Sequence, residues 1–167
     1  MQGQSSGGAN VVPMPVFEIL LVDDSKTDVR IMEEALAGNQ SRVVSRLHHA
    51  RNGKESLAFL RKEGQFTAAP RPDLILLDVN MPGKSGLDVL AEIKGDPALR
   101  GIPTVMLTSS REERDVARAY DLQANGYVQK PVDFDDFMAV MGGIELFWTG
   151  VSRLPPRGAA PPAMTAP

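Results

Sequence analysis

Residues 74–86 read "LILLDVNMPGKSG". Four aliphatic residues run without a polar interruption into Asp78, and a Met-Pro-Gly break follows. A short, continuous apolar run suits a parallel strand covered on both faces. Its end on a carboxylate is then informative, because burying an unpaired charge is costly. Either Asp78 emerges at the rim of a sheet, or a cation waits for it there.

Similar runs lie on either side of this one. "FEILLV" (17–22), "RVVSRLH" (42–48), "DLILL" (73–77), "PTVML" (103–107) and "GYVQ" (126–129) read as strands. Between them, Val29, Met32 and Leu36, and then Leu87, Leu90 and Ile93, fall at helical spacing. Phe134, Phe137, Met141, Ile144 and Trp148 stripe a last helix, a pattern read as core packing. Five helix starts offer a capping side chain with an acid three residues on: Ser25 with Asp28, Asn52 with Glu55, Ser85 with Asp88, Ser110 with Glu113, and Asp133 with Asp136. Each follows a strand, so the pattern is βα repeated five times. Right-handed crossovers then give an α/β fold, a doubly wound five-stranded parallel sheet with helices on both faces. Five strands are too few for the eight-stranded barrel. In such sheets the functional crevice lies at the carboxyl ends of the strands, and that is where Asp78 stands.

The 167 residues, 43% of them hydrophobic, suffice for one domain with a true core. A net charge of -3 implies no nucleic-acid surface. Cysteine is absent, which removes disulfides, thiolate zinc sites and cysteine nucleophiles. The N-terminus lacks the basic and apolar regions of a signal peptide, and no run reaches membrane-spanning length. These are the features of a chain expected to be soluble and cytoplasmic, with neither nucleic acid nor membrane as partner. Residues 1–15 read as a flexible tail, 16–148 as the folded domain, and 149–167 as an arm ending in Pro/Ala-rich sequence.

The other strand ends point at the crevice of Asp78. Strand one ends in Asp23 and Asp24, strand four in Thr108, and strand five in Lys130 and Pro131. Three carboxylates that close repel unless one takes a proton or a cation joins them. Carboxylate oxygens with a carbonyl suit Mg²⁺, and Lys130 adds a point charge. Phosphoryl transfer needs this set. A carboxylate forms an aspartyl-phosphate, the metal and lysine neutralise the phosphoryl oxygens, and the Thr108 hydroxyl donates to one of them. Asp78, on the central strand with Pro82 and Gly83 opening the loop beyond it, is the expected acceptor.

"LLVDDS", "DLILLDVNMPGKSG", "PTVMLTSS" and "GYVQKPVD" together resemble the motifs of the response-regulator receiver domain, the CheY-like family of two-component signalling, over residues 17–148. The resemblance implies a flavodoxin-like strand order 2-1-3-4-5, phosphorylation of Asp78 by a histidine kinase, and Mg²⁺ ligation by Asp24, Asp78 and the Asn80 carbonyl, with Asp23 acting through water. It implies that Thr108 and Tyr127 rearrange on phosphorylation, that Lys130 contacts the phosphoryl group, and that the Lys130–Pro131 peptide is cis. Longer stretches, including "LAEIKGDPALRGIPTVMLTSS" and "FMAVMGGIELFW", resemble the small response regulators of phytochrome-type kinases, so the implied kinase is a phytochrome photoreceptor.

Competing readings fare worse. An Mg-dependent phosphatase with an aspartate nucleophile commonly needs a second acid two residues on, where this chain has Asn80. A flavin module would carry a phosphate-binding turn after strand one, where "DDSKTD" would repel phosphate. A non-phosphorylated receiver-like scaffold would not need the full acid–Thr–Lys set. His48 and His49 are adjacent on a strand, so they face opposite sides and do not chelate one ion. With about twenty residues after Trp148, no output domain is expected to fit, and output falls to protein binding. The apolar stripe continues through "IELFWTGVSRLPP". Phe147, Trp148, Val151 and Leu154 would form an exposed patch on a monomer, which predicts a homodimer whose arm leaves its own domain to lie across a partner.

Overall fold

The computed structural model describes residues 15–39 and 41–157. The expected N-terminal tail, apart from Pro15, and the Pro/Ala-rich end from residue 158 lie outside them. Five strands, β1 (Val16–Val22), β2 (Val44–Ala50), β3 (Leu74–Leu77), β4 (Thr104–Thr108) and β5 (Gly126–Gln129), alternate with α1 (Lys26–Gly38), α2 (Gly53–Arg61), α3 (Gly86–Gly95), α4 (Glu113–Asp121) and α5 (Phe134–Leu146). All strand pairs are parallel, in the order β2-β1-β3-β4-β5. This is the expected doubly wound α/β fold.

Strand alternation divides the core in two. On one face Leu20, Val22, Ile75, Leu77 and Met106 pack beneath α2 and α3, against Leu57, Phe59, Leu90 and Ile93. On the other, Ile19, Leu21, Leu74, Leu76 and Leu107 pack beneath α1 and α5, against Met32, Phe137 and Met141. The run at 74–77 is fully buried because both faces of its strand are covered. Truncating one such leucine to alanine costs about 2–5 kcal/mol in a typical core.

Four of the five expected caps form: Ser25, Asn52, Ser85 and Asp133 each accept from the N–H three residues on. Ser110 does not cap α4, which starts after Glu112 with no side-chain cap. The Ser110 N–H donates to Thr108 Oγ1 at 3.2 Å, and its hydroxyl donates to Asp115 Oδ2 at 2.6 Å, so the residue is held in the loop. Strand β2 runs two residues later than expected. It follows β1 in register up to the Ala50–Val22 pair, and edge-strand polarity (Arg46, His48, His49) hides that end in the sequence.

The C-terminal segment departs most from expectation. Beyond α5 the chain makes one π-helical turn, Phe147–Val151, and then runs extended. Trp148 and Leu154 pack against the core beneath α1 and α5, while Phe147 and Val151 are 50% and 73% exposed. Arg157 then clamps Asp73, Nε to Oδ1 at 3.0 Å, and donates to the Val16 carbonyl. Within the described residues the segment therefore does not leave its domain. The expected patch is half covered by the chain itself, because Trp148 and Leu154 reach apolar surface of their own.

Gly86 lets α3 begin against the strand end. A Cβ there would lie 1.8 Å from the Asp78 carbonyl oxygen, and the Gly86 N–H donates to the Val79 carbonyl at 2.9 Å. Gly86→Ala is expected to lose about 1–3 kcal/mol by overpacking. Gly95→Ala, where an added Cβ meets nothing within 4 Å, is expected to be neutral or mildly stabilising. Urea unfolding of both variants checks this, and equal losses would reject the close approach as the cause.

Candidate functional site

The sheet order brings the ends of β1, β3, β4 and β5 side by side at one rim. Asp78 leaves β3 with its N–H donating to the Val22 carbonyl at 3.0 Å, so its carboxylate sits next to the β1 acids. Asp23, Asp24 and Asp78 each place an oxygen within 4.8 Å of the others. Asp23 is fully buried, Asp78 is 6% exposed, and Asp24 faces solvent. The Asp23 Oδ1 accepts from the Ser25 N–H at 2.8 Å, which fixes its orientation. Lys130 follows β5, its N–H bonded to the Thr108 carbonyl at 2.8 Å. Its ammonium donates to Asp23 at 2.7 Å, Asp28 at 2.7 Å and Asp78 at 3.2 Å.

The Lys130–Pro131 peptide is trans, as all peptide bonds among the described residues are. This corrects the cis expectation. An X–Pro bond favours trans by about 0.5–1 kcal/mol, and here the trans form already delivers Nζ to three carboxylates.

Burial pushes the Asp23 carboxyl up to about 6, helped by the charge of Asp78; the Lys130 hydrogen bond and charge and the Ser25 N–H pull it back only part way. Burial draws the Lys130 ammonium down. The hydrogen bonds to Asp23 and Asp28, with the charges of Asp23 and Asp78, outweigh that effect and hold it well above the ordinary lysine range. A carboxyl that still takes a proton so readily with a lysine in contact is short of positive charge. Three close carboxylate oxygens in that condition fit a hard divalent cation.

The remaining predicted residues surround this cluster. The Asn80 N–H donates to Asp78 Oδ1 at 3.3 Å. Thr108 is fully buried at the end of β4. Tyr127 stands on β5 beside β4, its hydroxyl donating to the Ser110 carbonyl at 3.1 Å; burial raises its pKa, opposed by the Ser110 side chain and aided by the charges of Asp115, Asp78 and Glu112. Ser110 thus links Thr108 to Tyr127 through its own backbone. The two histidines do separate: His48 meets Glu18 at 2.6 Å and packs on Phe59, while His49 Nε2–H donates to the Asp23 carbonyl at 2.7 Å. Sequence reasoning missed His49 as a support of the acidic loop. It also read Asp28 only as a cap partner. The one available signal for Asp28 was its place a helical turn after Asp24, on the face that looks toward the sheet end.

The geometry is that of a phosphoryl-accepting receiver, and the chain belongs to the response regulator receiver domain family, whose model matches residues 19–141. Single-domain receivers of this family accept a phosphoryl group rather than turn over a substrate, and receiver domains bind a divalent metal at the acidic pocket. Among particular proteins, the chain is 44% identical over 141 residues to the response regulator Rcp1 of Synechocystis, covering 84% of this chain and 95% of Rcp1; a crystal structure of Rcp1 is of its Mn²⁺-bound form, with a TM-score of 0.79. The phosphorylated cyanobacterial phytochrome response regulator RcpA matches with 44% identity and a TM-score of 0.81, over 85% of this chain and all of that one. The bacteriophytochrome response regulator AtBRR matches with 38% identity and a TM-score of 0.64, over 83% of this chain and 99% of that one. The chain is thus a receiver related to the phytochrome response regulators, and the phosphatase and flavin readings fall away.

A protonated Asp23 no longer offers a negative oxygen to a cation or to the water bound to it, so proton and metal compete. As pH falls from 7 to 5, through the Asp23 value of about 6, the apparent affinity for a divalent cation is expected to drop about tenfold. Titration calorimetry across that range checks this; a flat profile would place Asp23 outside the metal set.

Proposed function

We propose that this receiver takes its phosphoryl group from a phytochrome-type histidine kinase onto Asp78, using Mg²⁺, and signals through phosphorylation-dependent protein binding in the cytoplasm. The observation that carries the assignment is the buried Asp78 carboxylate 3.2 Å from the Lys130 ammonium and grouped with Asp23 and Asp24. An ionised carboxylate is already nucleophilic and needs no base. One Asp78 oxygen bonds phosphorus, the phosphorus–nitrogen bond to the kinase histidine breaks, and its electron pair stays on the imidazole. Lys130 neutralises a phosphoryl oxygen from one side, and Thr108 donates its hydroxyl to another. Asp24, Asp78 and the Asn80 carbonyl would hold Mg²⁺, with Asp23 acting through water, and the ion would supply charge neutralisation at the phosphoryl oxygens.

Turning the Thr108 hydroxyl toward a phosphoryl oxygen removes the acceptor of the Ser110 N–H, and Ser110 also holds the Tyr127 hydroxyl. The output surface on α4 and β5 is thereby coupled to the phosphoryl group. Among the described residues no helix is long and apolar enough to cross a membrane. The phytochrome assignment draws support from RcpA and AtBRR, whose names carry that partner. A homodimer through the end of α5 draws support from the exposure of Leu146, Phe147 and Val151.

Acetyl phosphate with Mg²⁺ is expected to add one base-labile phosphoryl group, seen by intact mass, and to move the NMR signals of Tyr127 and α4. Asp78→Asn should take up none, and Thr108→Ala should be labelled while those signals stay. Undiminished labelling of Asp78→Asn would sink the assignment.

Light scattering at tens of micromolar is expected to give the mass of two chains for the wild type. The doubly substituted Phe147→Ser, Val151→Ser protein, altered only at exposed positions, should give the mass of one. A one-chain mass for the wild type would reject the dimer.

A further inference from the structure

We infer that Asp28 is a positioning residue for Lys130, the anchor that keeps the ammonium beside Asp78 while the other acids are engaged elsewhere. This rests on Asp78 being the phosphoacceptor. An ammonium has three donors, and Asp23, Asp28 and Asp78 take all three. Asp23 and Asp78 are also members of the cation-binding trio, and Asp28 is not. A divalent ion shared by those two draws on the oxygens that grip Lys130 and repels its charge. When an Asp78 oxygen bonds phosphorus it also ceases to be a full anionic acceptor. Of the three acids, Asp28 alone is engaged by neither the cation nor phosphorus, so its bond to the ammonium survives both events.

The surroundings suit an anchor. Asp28 lies in the first turn of α1, its N–H held by Ser25 Oγ at 3.3 Å, and Ser25 is tied to Asp23. The next residues on that helix toward the sheet, Val29 and Met32, are buried in the core, which fixes the distance of the carboxylate from the rim. The Lys130 side chain is 9% exposed and that of Asp28 21% exposed, so the anchor stands on the solvent side of the ammonium. It closes the direction in which Lys130 would otherwise retreat from a bound cation.

The test uses acetyl phosphate, where an Asp78 oxygen forms the new phosphorus bond and acetate leaves with the electron pair of the bond it loses. At saturating Mg²⁺, Asp28→Ala is expected to slow phosphorylation about ten- to a hundredfold, the scale of a misplaced catalytic group. In the Lys130→Ala background the same substitution should cause no further loss, because both act through one ammonium. In unphosphorylated protein with Mg²⁺, an amine-reactive ester should label Lys130 faster in Asp28→Ala than in wild type, read by peptide mass spectrometry. Asp28→Asn, which keeps an acceptor oxygen, serves if the alanine variant melts, and should fall between the two. Wild-type rates in both Asp28 variants, or losses that multiply in the double variant, would overturn the inference. A wild type not labelled on Asp78 would overturn the phosphoacceptor reading instead.

Discussion

The carboxyl rim of this sheet is organised by a shortage of positive charge. Asp23, Asp28 and Asp78 share the Lys130 ammonium, and Asp24 stands close to two of them without reaching it. Two like charges at about 4 Å in a partly buried setting repel by about 4 kcal/mol, so this arrangement is held against its own electrostatics by the hydrophobic sheet beneath it. A hydrophobic core is indifferent to what its strand ends carry. Leu74–Leu77 and the β1 run Ile19–Val22 are almost completely buried, and their packing sets the acids side by side whether or not the acids gain by it. The site is consequently a place where a cation finds unmet negative charge already positioned, and an anionic phosphoryl group depends on that cation and on Lys130.

That origin explains how legible the site was. Each acid, the threonine and the lysine stand at the end of an apolar run, and apolar runs are what periodicity reports most clearly. The parallel order of the strands then follows from five βα repeats and the handedness of crossovers. What periodicity does not report is lateral contact between elements. Asp28 satisfies a capping pattern perfectly well, and nothing local says that its carboxylate also meets a lysine 102 residues away. His49 hides in the same manner, since a strand histidine is expected to face a helix or solvent rather than the carbonyl of an acidic loop. Ser110 shows the opposite error. Its spacing to Glu113 is that of a cap, but the neighbouring Thr108 and Asp115 offer its N–H and hydroxyl better partners.

The arm illustrates a limit of hydrophobic patterning. The sequence says that Trp148, Val151 and Leu154 are apolar, and it is silent on which surface they cover. Trp148 and Leu154 find their own core, and a polar contact, Arg157 to Asp73, completes the return. In the sequence Asp73 reads only as the first residue of a strand. It is nearly buried, accepts the Glu18 N–H at 2.8 Å, and so joins β1, β3 and the C-terminal segment at the amino end of the sheet.

The two ends of the molecule are therefore chemically distinct, and α5 connects them. Its first residue follows Asp133, just past Lys130 and the acidic rim. Its last turn carries Glu145, 2% exposed, which accepts from Ser45 at 2.6 Å and from Asn39. Thirteen helical residues span about 20 Å, roughly the depth of the sheet. Glu145 ties the far end of α5 to β2 and to the end of α1, and the packing of Phe137 and Met141 ties its middle to β1, β3 and β4. A helix fixed at so many points transmits displacement as a rigid rod rather than absorbing it. Rearrangement at the phosphoryl site has two routes outward: the short Thr108–Ser110–Tyr127 chain, which ends at α4, and α5, which ends beneath Phe147 and Val151. The first is built from single hydrogen bonds that break and remake easily. The second requires shifting a packed core element, and interiors resist this because their side chains are close-packed. Charge rearrangement at the rim should thus be felt first at α4, with the surface beyond α5 left as a constant feature of the domain.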